Sequence, residues 1–204
     1  MTGIIIAAVL LGIYILFLLW YYGFRRPLSN EKVEHYASIM EKRSGNAGEI
    51  IRKFGFEDDG QQFFMVSMVK YYEKPQYKNG NGGGLTSREA NMRYVRNTVP
   101  MLLKRGCHPY GLFRPMINLS NIGKDELQWD EVSVVRYRSR RDFLNVVTSP
   151  RWFAGYGNKV AALQANPNFP SKGLFAFPVI PILVFTILLL IGLICMACIY
   201  FKPF

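Results

Sequence analysis

Gln62-Phe63-Phe64-Met65-Val66-Ser67-Met68-Val69-Lys70-Tyr71-Tyr72 decides how the middle of this chain folds. The run is rich in aromatic and β-favouring side chains and is apolar at odd and even positions alike, the composition of a strand packed on both sides. The acidic turn Glu57-Asp58-Asp59-Gly60 precedes it and the glycine-dense Asn79-Gly80-Asn81-Gly82-Gly83-Gly84 follows it. That second stretch lacks the Gly-Lys-Ser/Thr ending of a phosphate-binding loop and reads as a flexible excursion.

Working towards the C-terminus, Thr86-Ser87-Arg88-Glu89 has the form of a capping box. The helix it starts places Tyr94, Val95, Thr98, Val99, Leu102 and Leu103 on one face, kinks at Pro100 and ends at Lys104-Arg105-Gly106. A second strand is expected over Tyr110 to Leu119, with Pro115 marking an edge or a bulge. After the turn Asn121-Ile122-Gly123-Lys124, a third strand over Trp129 to Arg138 sets Val132 and Val134 on one face. Trp129, Glu131, Ser133 and Tyr137 lie on the other. Ser139, with Asp142 three positions on, starts another helix. Ser149-Pro150 re-enters helix as far as about Gln164, and a short last strand is expected over Asn168 to Gly173.

This order, β-α-β-β-α-β, is that of the ferredoxin-like fold. Val99-Pro100-Met101-Leu102-Leu103-Lys104-Arg105-Gly106 is similar to the first helix and glycine turn of small domains of unknown function in the dimeric α/β-barrel superfamily. Val134-Val135-Arg136-Tyr137-Arg138-Ser139-Arg140-Arg141-Asp142-Phe143, followed by Ser149-Pro150-Arg151-Trp152, resembles that group's third strand, Ser-capped helix and Ser-Pro step. The resemblance covers roughly residues 62 to 172, and it implies that two such sheets pair into a shared barrel. An unpaired sheet would leave one apolar face exposed. Phe63, Met65, Tyr110, Trp129 and Tyr137 are therefore expected at an oligomer interface.

Working outward, the ends explain the composition. The chain has 204 residues with 25 Lys+Arg against 14 Asp+Glu, a net charge of +11, and it is 50% hydrophobic but only 19% charged. Residues 3 to 24 and 173 to 201 contain no Asp, Glu, Lys or Arg. Each is long enough to cross a bilayer, which takes about 20 helical residues. Trp20-Tyr21-Tyr22 followed by Arg25-Arg26 is an interfacial aromatic belt with a basic stop, and no small-residue cleavage site follows, so the first run is expected to be a retained anchor rather than a signal peptide. The expected organisation is a transmembrane helix over 1–24, a polar helical stalk over 25–56, a ferredoxin-like α+β domain over 57–173, and a second transmembrane helix with a short tail over 174–204. Arg25, Arg26, Lys32, Lys159 and Lys172 flank the inner ends of the spans, which sets the central domain in the cytoplasm and both termini on the opposite side. The sequon Asn118-Leu119-Ser120 would then be silent. Ala8 and Gly12 have a spacing suited to close helix approach, or are lipid-facing filler. Ser29-Asn30 caps the stalk, which either lies over the headgroups, with Lys42, Arg43, Arg52 and Lys53 drawn to anionic lipid, or binds a partner.

Residues for chemistry are few. Cys195 and Cys198 lie inside the second apolar run and leave Cys107 alone, which excludes a disulfide-built secreted scaffold. Neither span has an ionisable residue, which argues against a proton relay or ion pathway built by this chain alone. No zinc-like cysteine spacing, nucleophile elbow or dinucleotide signature is present, so no metal and no cofactor are expected. His108, Arg114, Glu131 and Tyr137 are the candidate catalytic residues. The competing reading makes Arg114 and Glu131 a cross-strand ion pair and the aromatics interface filler. Basic Arg136, Arg138, Arg140, Arg141 and Arg151 suit lipid headgroups or an acidic protein better than nucleic acid in a membrane-tethered setting. The expectation is a two-span protein whose domain self-associates as an accessory or scaffold component of a membrane assembly. A membrane-bound, cofactor-free oxygenase or isomerase acting on a lipophilic molecule is the alternative.

Overall fold

The computed structural model describes the chain except for Arg25, Ser44, Asn79, residues 81–83, 118–127 and 201–204. The sequon at 118–120, the turn at 121–124, the end of the strand expected to reach Leu119, and most of the glycine-dense loop lie outside the described residues. The elements are α1 Thr2–Tyr22, α2 Asn30–Glu41, α3 Ala47–Phe56, β1 Phe63–Tyr71, α4 Ser87–Leu103, β2 His108–Phe113, β3 Glu131–Tyr137, α5 Arg140–Val147, α6 Pro150–Ala162, β4 Leu163–Ala165, β5 Asn168–Ser171 and α7 Val179–Tyr200. They form two compact units, one of Met1–Phe24 with Gly173–Phe204 and one of Arg25–Lys172.

The first unit is the pair α1 and α7, 21 and 22 residues long, each long and apolar enough to cross a membrane. They run antiparallel. The Tyr14 ring lies 5.4 Å from Phe185, and a Cβ added to Gly3 would fall 2.8 Å from Met196 Cε. The close approach is thus made at Gly3 and not at Gly12, beside which there is open space. A recess of about 320 Å³ between the two helices is lined almost wholly by apolar side chains and offers packing rather than chemistry.

The second unit is built on β1. β3 lies along one edge of it, from Phe63 opposite Tyr137 to Val69 opposite Glu131, and β2 lies on the far side of β3. The other edge is shared by two short strands, β5 opposite Phe64–Ser67 and β4 opposite Lys70 and Tyr71. The order is β2-β3-β1-β4, and every pairing is antiparallel. The fold is therefore α+β, a five-stranded antiparallel sheet with helices.

Local sequence explains most boundaries. Thr86 Oγ1 accepts from Glu89 N while the Glu89 carboxylate accepts from Thr86 N, the reciprocal box that satisfies two orphan donors of α4. Ser139 and Ser149 accept from Asp142 N and Trp152 N at the starts of α5 and α6. Helix α6 stops two residues before Gln164 because Leu163 is already extended and begins β4. Strand β2 spans His108–Phe113 rather than 110–119, so Arg114 lies beyond it. The section expected to be a separate stalk belongs to this compact unit. Val33 and Ala37 of α2 are fully buried, Gly55 lets α3 approach Val33 without a Cβ in the way, and the Tyr36 hydroxyl donates to Asn145 Oδ1 at 2.8 Å. Arg52, expected to reach for lipid, is tied to Glu34 and Glu41.

The core lies on one face of the sheet. Phe63, Met65 and Tyr137 join Leu144, Val146, Val147 and Trp152 from the helices. Phe63 and Tyr137 are opposite each other, with rings stacked 5.1 Å apart, and Phe143 closes on both.

Candidate functional site

Because side chains alternate along a strand, the pairing fixes what each face carries. The covered face holds Phe63, Met65 and Val69 of β1 with Tyr137, Val135 and Glu131 of β3. The opposite face holds Phe64, Val66 and Met68 with Arg136, Val134 and Val132, continued by Phe113 of β2 and Phe169 of β5. Phe63, Met65 and Tyr137 are only 5%, 9% and 7% exposed, buried by the chain's own helices. On the opposite face Phe113 and Phe169 are 59% and 51% exposed, Val66, Met68, Val132 and Val134 are half-buried, and Phe64 is buried beside the Tyr110 ring. Of the residues expected at an interface, then, Phe63, Met65 and Tyr137 face the core. The reason is a one-residue shift of face in a strand whose two faces are both apolar. Tyr110 is exposed and its ring lies 5.1 Å from Phe64, which sets it on the open face; Trp129 is half-buried just before β3.

One corner of the open face is polar. His108 is paired with Arg136, and Arg136 is buried, donating from Nε to Gln62 Oε1 at 2.9 Å and from Nη1 to the Gly106 carbonyl at 2.7 Å. Burial holds the His108 imidazole below its ordinary pKa, and the nearby Arg136 charge adds to the effect. Cys107, one residue earlier, points the other way into the core. It is fully buried, its Sγ accepts from Arg138 N at 3.3 Å, and burial pushes its thiol up to about 11. Such a thiol is no nucleophile at neutral pH, and it does not meet its neighbour's ring.

The candidate catalytic residues are not brought together. His108 lies opposite Arg136, five residues along β3 from Glu131, which separates the two by about 17 Å and places them on opposite faces. Tyr137 is in the core, and Arg114 is exposed beyond β2. Glu131 is held instead by residues the sequence did not single out. Tyr71 Oη donates to Glu131 Oε2 at 3.3 Å, Asn91 Nδ2 donates to Tyr71 Oη at 3.1 Å, and an Arg88 Nη1 lies 3.9 Å from the carboxylate. Burial, followed by the Glu131 charge, raises the Tyr71 pKa. This cluster pins the first turn of α4 to the far ends of β1 and β3. Among the described residues, no group of three or more His, Cys, Asp or Glu is placed to hold a metal ion.

The crystal structure of the RPA0582 protein of Rhodopseudomonas palustris, a protein of unknown function, superposes with a TM-score of 0.57 at 21% identity. It covers 63% of this chain and 94% of its own. The methylated RPA0582 protein gives a TM-score of 0.57 at 22% identity over 64% and 92% of the two chains. No family model and no curated protein matches the chain. At this level of identity the likeness concerns the fold alone, an α+β domain of unassigned activity.

Proposed function

We propose that this chain is a two-span membrane protein whose central unit is a ferredoxin-like domain that self-associates through the open face of its sheet. In this role it is an accessory or scaffold component of a membrane assembly. The observation that carries the reading is the open face itself: Val66, Met68, Val132 and Val134 are half-buried and Phe113 and Phe169 exposed around a buried Phe64, and none of the seven belongs to the buried core cluster. Exposed aromatic rings at both edges of an apolar sheet face are the kind of patch that marks an interaction surface. A second copy related by a two-fold axis covers it without any other protein.

The strand order β2-β3-β1-β4, with all neighbours antiparallel and α4 and α6 in the crossovers, supports the ferredoxin-like assignment. The length and apolar composition of α1 and α7 support the two spans, and the basic residues flanking them support a cytoplasmic central unit. Protease added to sealed, right-side-out cells should then leave residues 25–172 intact; cleavage there would reverse the orientation. Association is tested by Met68→Asp and Val134→Asp in the full chain in mild detergent. Each should convert a dimer to a folded monomer, and a dimer indifferent to both would move the interface elsewhere.

A further inference from the structure

Both ends of the central unit are held by one turn. Asp58 Oδ2 accepts from the Leu28 N–H at 2.8 Å, and Asp59 Oδ2 lies 2.8 Å from the Lys172 ammonium. The second oxygen of each carboxylate closes the turn on itself, Asp58 Oδ1 accepting from Gly60 N at 3.0 Å and Asp59 Oδ1 from Gln61 N at 3.1 Å. From α1 to Leu28 the chain runs Gly23–Leu28, and from Lys172 to α7 it runs Lys172–Pro178. Segments of that length reach at most about 25 Å. The turn therefore fixes the end of the sheet at which the chain enters and leaves. It is the end where β1 and β2 begin and where β3 and β5 finish.

That end is basic. Lys104 and Arg105 precede β2, Arg138, Arg140 and Arg141 follow β3, and Arg26 precedes Leu28. Of the carboxylates nearby, Asp59 is neutralised by Lys172 and Asp142 by Arg138 at 2.8 and 3.0 Å, while Asp58, bonded only to backbone N–H groups, and Glu57 keep their charge against the cations Arg26, Lys104, Arg105, Arg140 and Arg141. Arg140 donates to the Phe54 carbonyl, Arg141 to the Pro27 carbonyl at 3.0 Å, and Arg105 to the Met101 carbonyl at 3.1 Å. Carbonyls are neutral, so they orient these guanidiniums without cancelling their charge. Among the described residues, no carboxylate lies within ion-pair distance of Arg26, Lys104, Arg105, Arg140 or Arg141. Exposed Glu57 is the one acidic side chain of the turn with no part in holding it.

Resting on the two-span reading, we propose that this end of the unit is a seat for anionic phospholipid headgroups, whose phosphates are drawn to Arg26, Lys104, Arg105, Arg140 and Arg141. Chain continuity selects lipid over a soluble phosphate. If α1 and α7 are in a bilayer, only the few residues of these connecting segments separate Leu28 and Lys172 from it, and basic residues within about a Debye length of a bilayer surface interact with anionic headgroups.

The test uses the full chain in nanodiscs of phosphatidylcholine alone and of phosphatidylcholine mixed with phosphatidylglycerol, with amide hydrogen exchange read at residues 104–107 and 138–143. Exchange there should slow by about tenfold in the anionic discs, given the several cations near the surface. A variant carrying Arg26→Gln, Lys104→Gln and Arg105→Gln should lose that slowing. A control carrying Lys78→Gln, Arg93→Gln and Arg96→Gln removes the same charge elsewhere and should keep it. Equal exchange in the two kinds of disc, or equal loss in the control, overturns the headgroup seat and leaves the two-span reading intact. A folded chain that enters neither kind of disc overturns the two-span reading, and the seat with it.

Discussion

The two faces of the central sheet are built from alternate residues of the same strands, yet they have different fates. On one, Phe63, Met65 and Tyr137 are sealed by Leu144, Val146 and Trp152 of the chain's own helices. On the other, Phe64, Val66 and Met68 continue into Val132, Val134, Phe113 and Phe169, two of which are more than half exposed. Both faces are apolar, so hydrophobicity does not distinguish them; what does is where the crossover helices land. A sheet that is apolar on both faces but packed against the core helices on only one leaves Phe113 and Phe169 exposed at the edges of the other. The uncovered face is accordingly the more informative for function.

A charge placed on each face in turn separates the two. Met65→Asp buries an unpaired carboxylate in the core and should cost about 4 kcal/mol or more, enough to unfold the unit, as read by circular dichroism. Met68→Asp, three residues away on the open face, should leave the melting of the monomer unit nearly unchanged and remove association. Equal unfolding by both would mean that the open face is covered within the chain. Next in size, Leu144→Ala removes a fully buried side chain under the covered face and should lose about 2–5 kcal/mol in denaturant titration. Thr86→Ala should lose about 1 kcal/mol, because it removes an acceptor for the Glu89 amide at the start of the helix that crosses that face.

The smallest effect is one of pH at the polar corner of the open face. Burial lowers the His108 pKa in the folded state, so the unfolded chain binds the proton more readily. Any stability that depends on neutral His108 is complete above the ordinary imidazole pKa of about 6.5 and falls as the pH drops through the lowered folded value. Thermal melts from pH 7.5 down to pH 5 should show this decline in the wild type and a flatter profile in His108→Gln. Identical profiles would remove His108 from the account of this corner.

Much of the fold was legible because its signals are local. Thr86-x-x-Glu89, Ser139-x-x-Asp142 and Ser149-Pro150 each announce a helix start, and each does so in the structure. The end of β2 was harder to read, since residues 114–117 keep an alternating pattern after pairing with β3 has stopped at Phe113. The facing of β1 was not legible at all: Phe63 and Phe64 are the same residue type, and only the register with β3 and the landing of α5 and α6 tells them apart. Packing of α2 and α3 onto the domain was hidden for a related reason. It depends on Gly55 meeting Val33 and on Tyr36 reaching Asn145, contacts between segments far apart in sequence. Arg114, Glu131 and Tyr137 were chosen as polar residues on expected sheet faces, and a face read from sequence says nothing about convergence; His108 and Glu131 prove to lie on different faces. Arg136 was read only as one of a run of basic residues, though its place inside the strand, next to Val134 and Val135, was a signal that it would have to be buried and bonded. Asp58 and Asp59 were visible only as an acidic turn, because their partners Leu28 and Lys172 come from opposite ends of the unit.

Pairing of two copies of this chain through the open face is tested by the protein mass of the full chain in mild detergent at micromolar concentration. The account predicts twice the chain mass of 23.4 kDa for the wild type and 23.4 kDa for a folded Met68→Asp variant, measured by light scattering with detergent contrast matched. A wild-type chain that is itself a well-folded 23.4 kDa monomer would contradict it, and a different subunit covering Phe113, Phe169 and Met68 would become the better account.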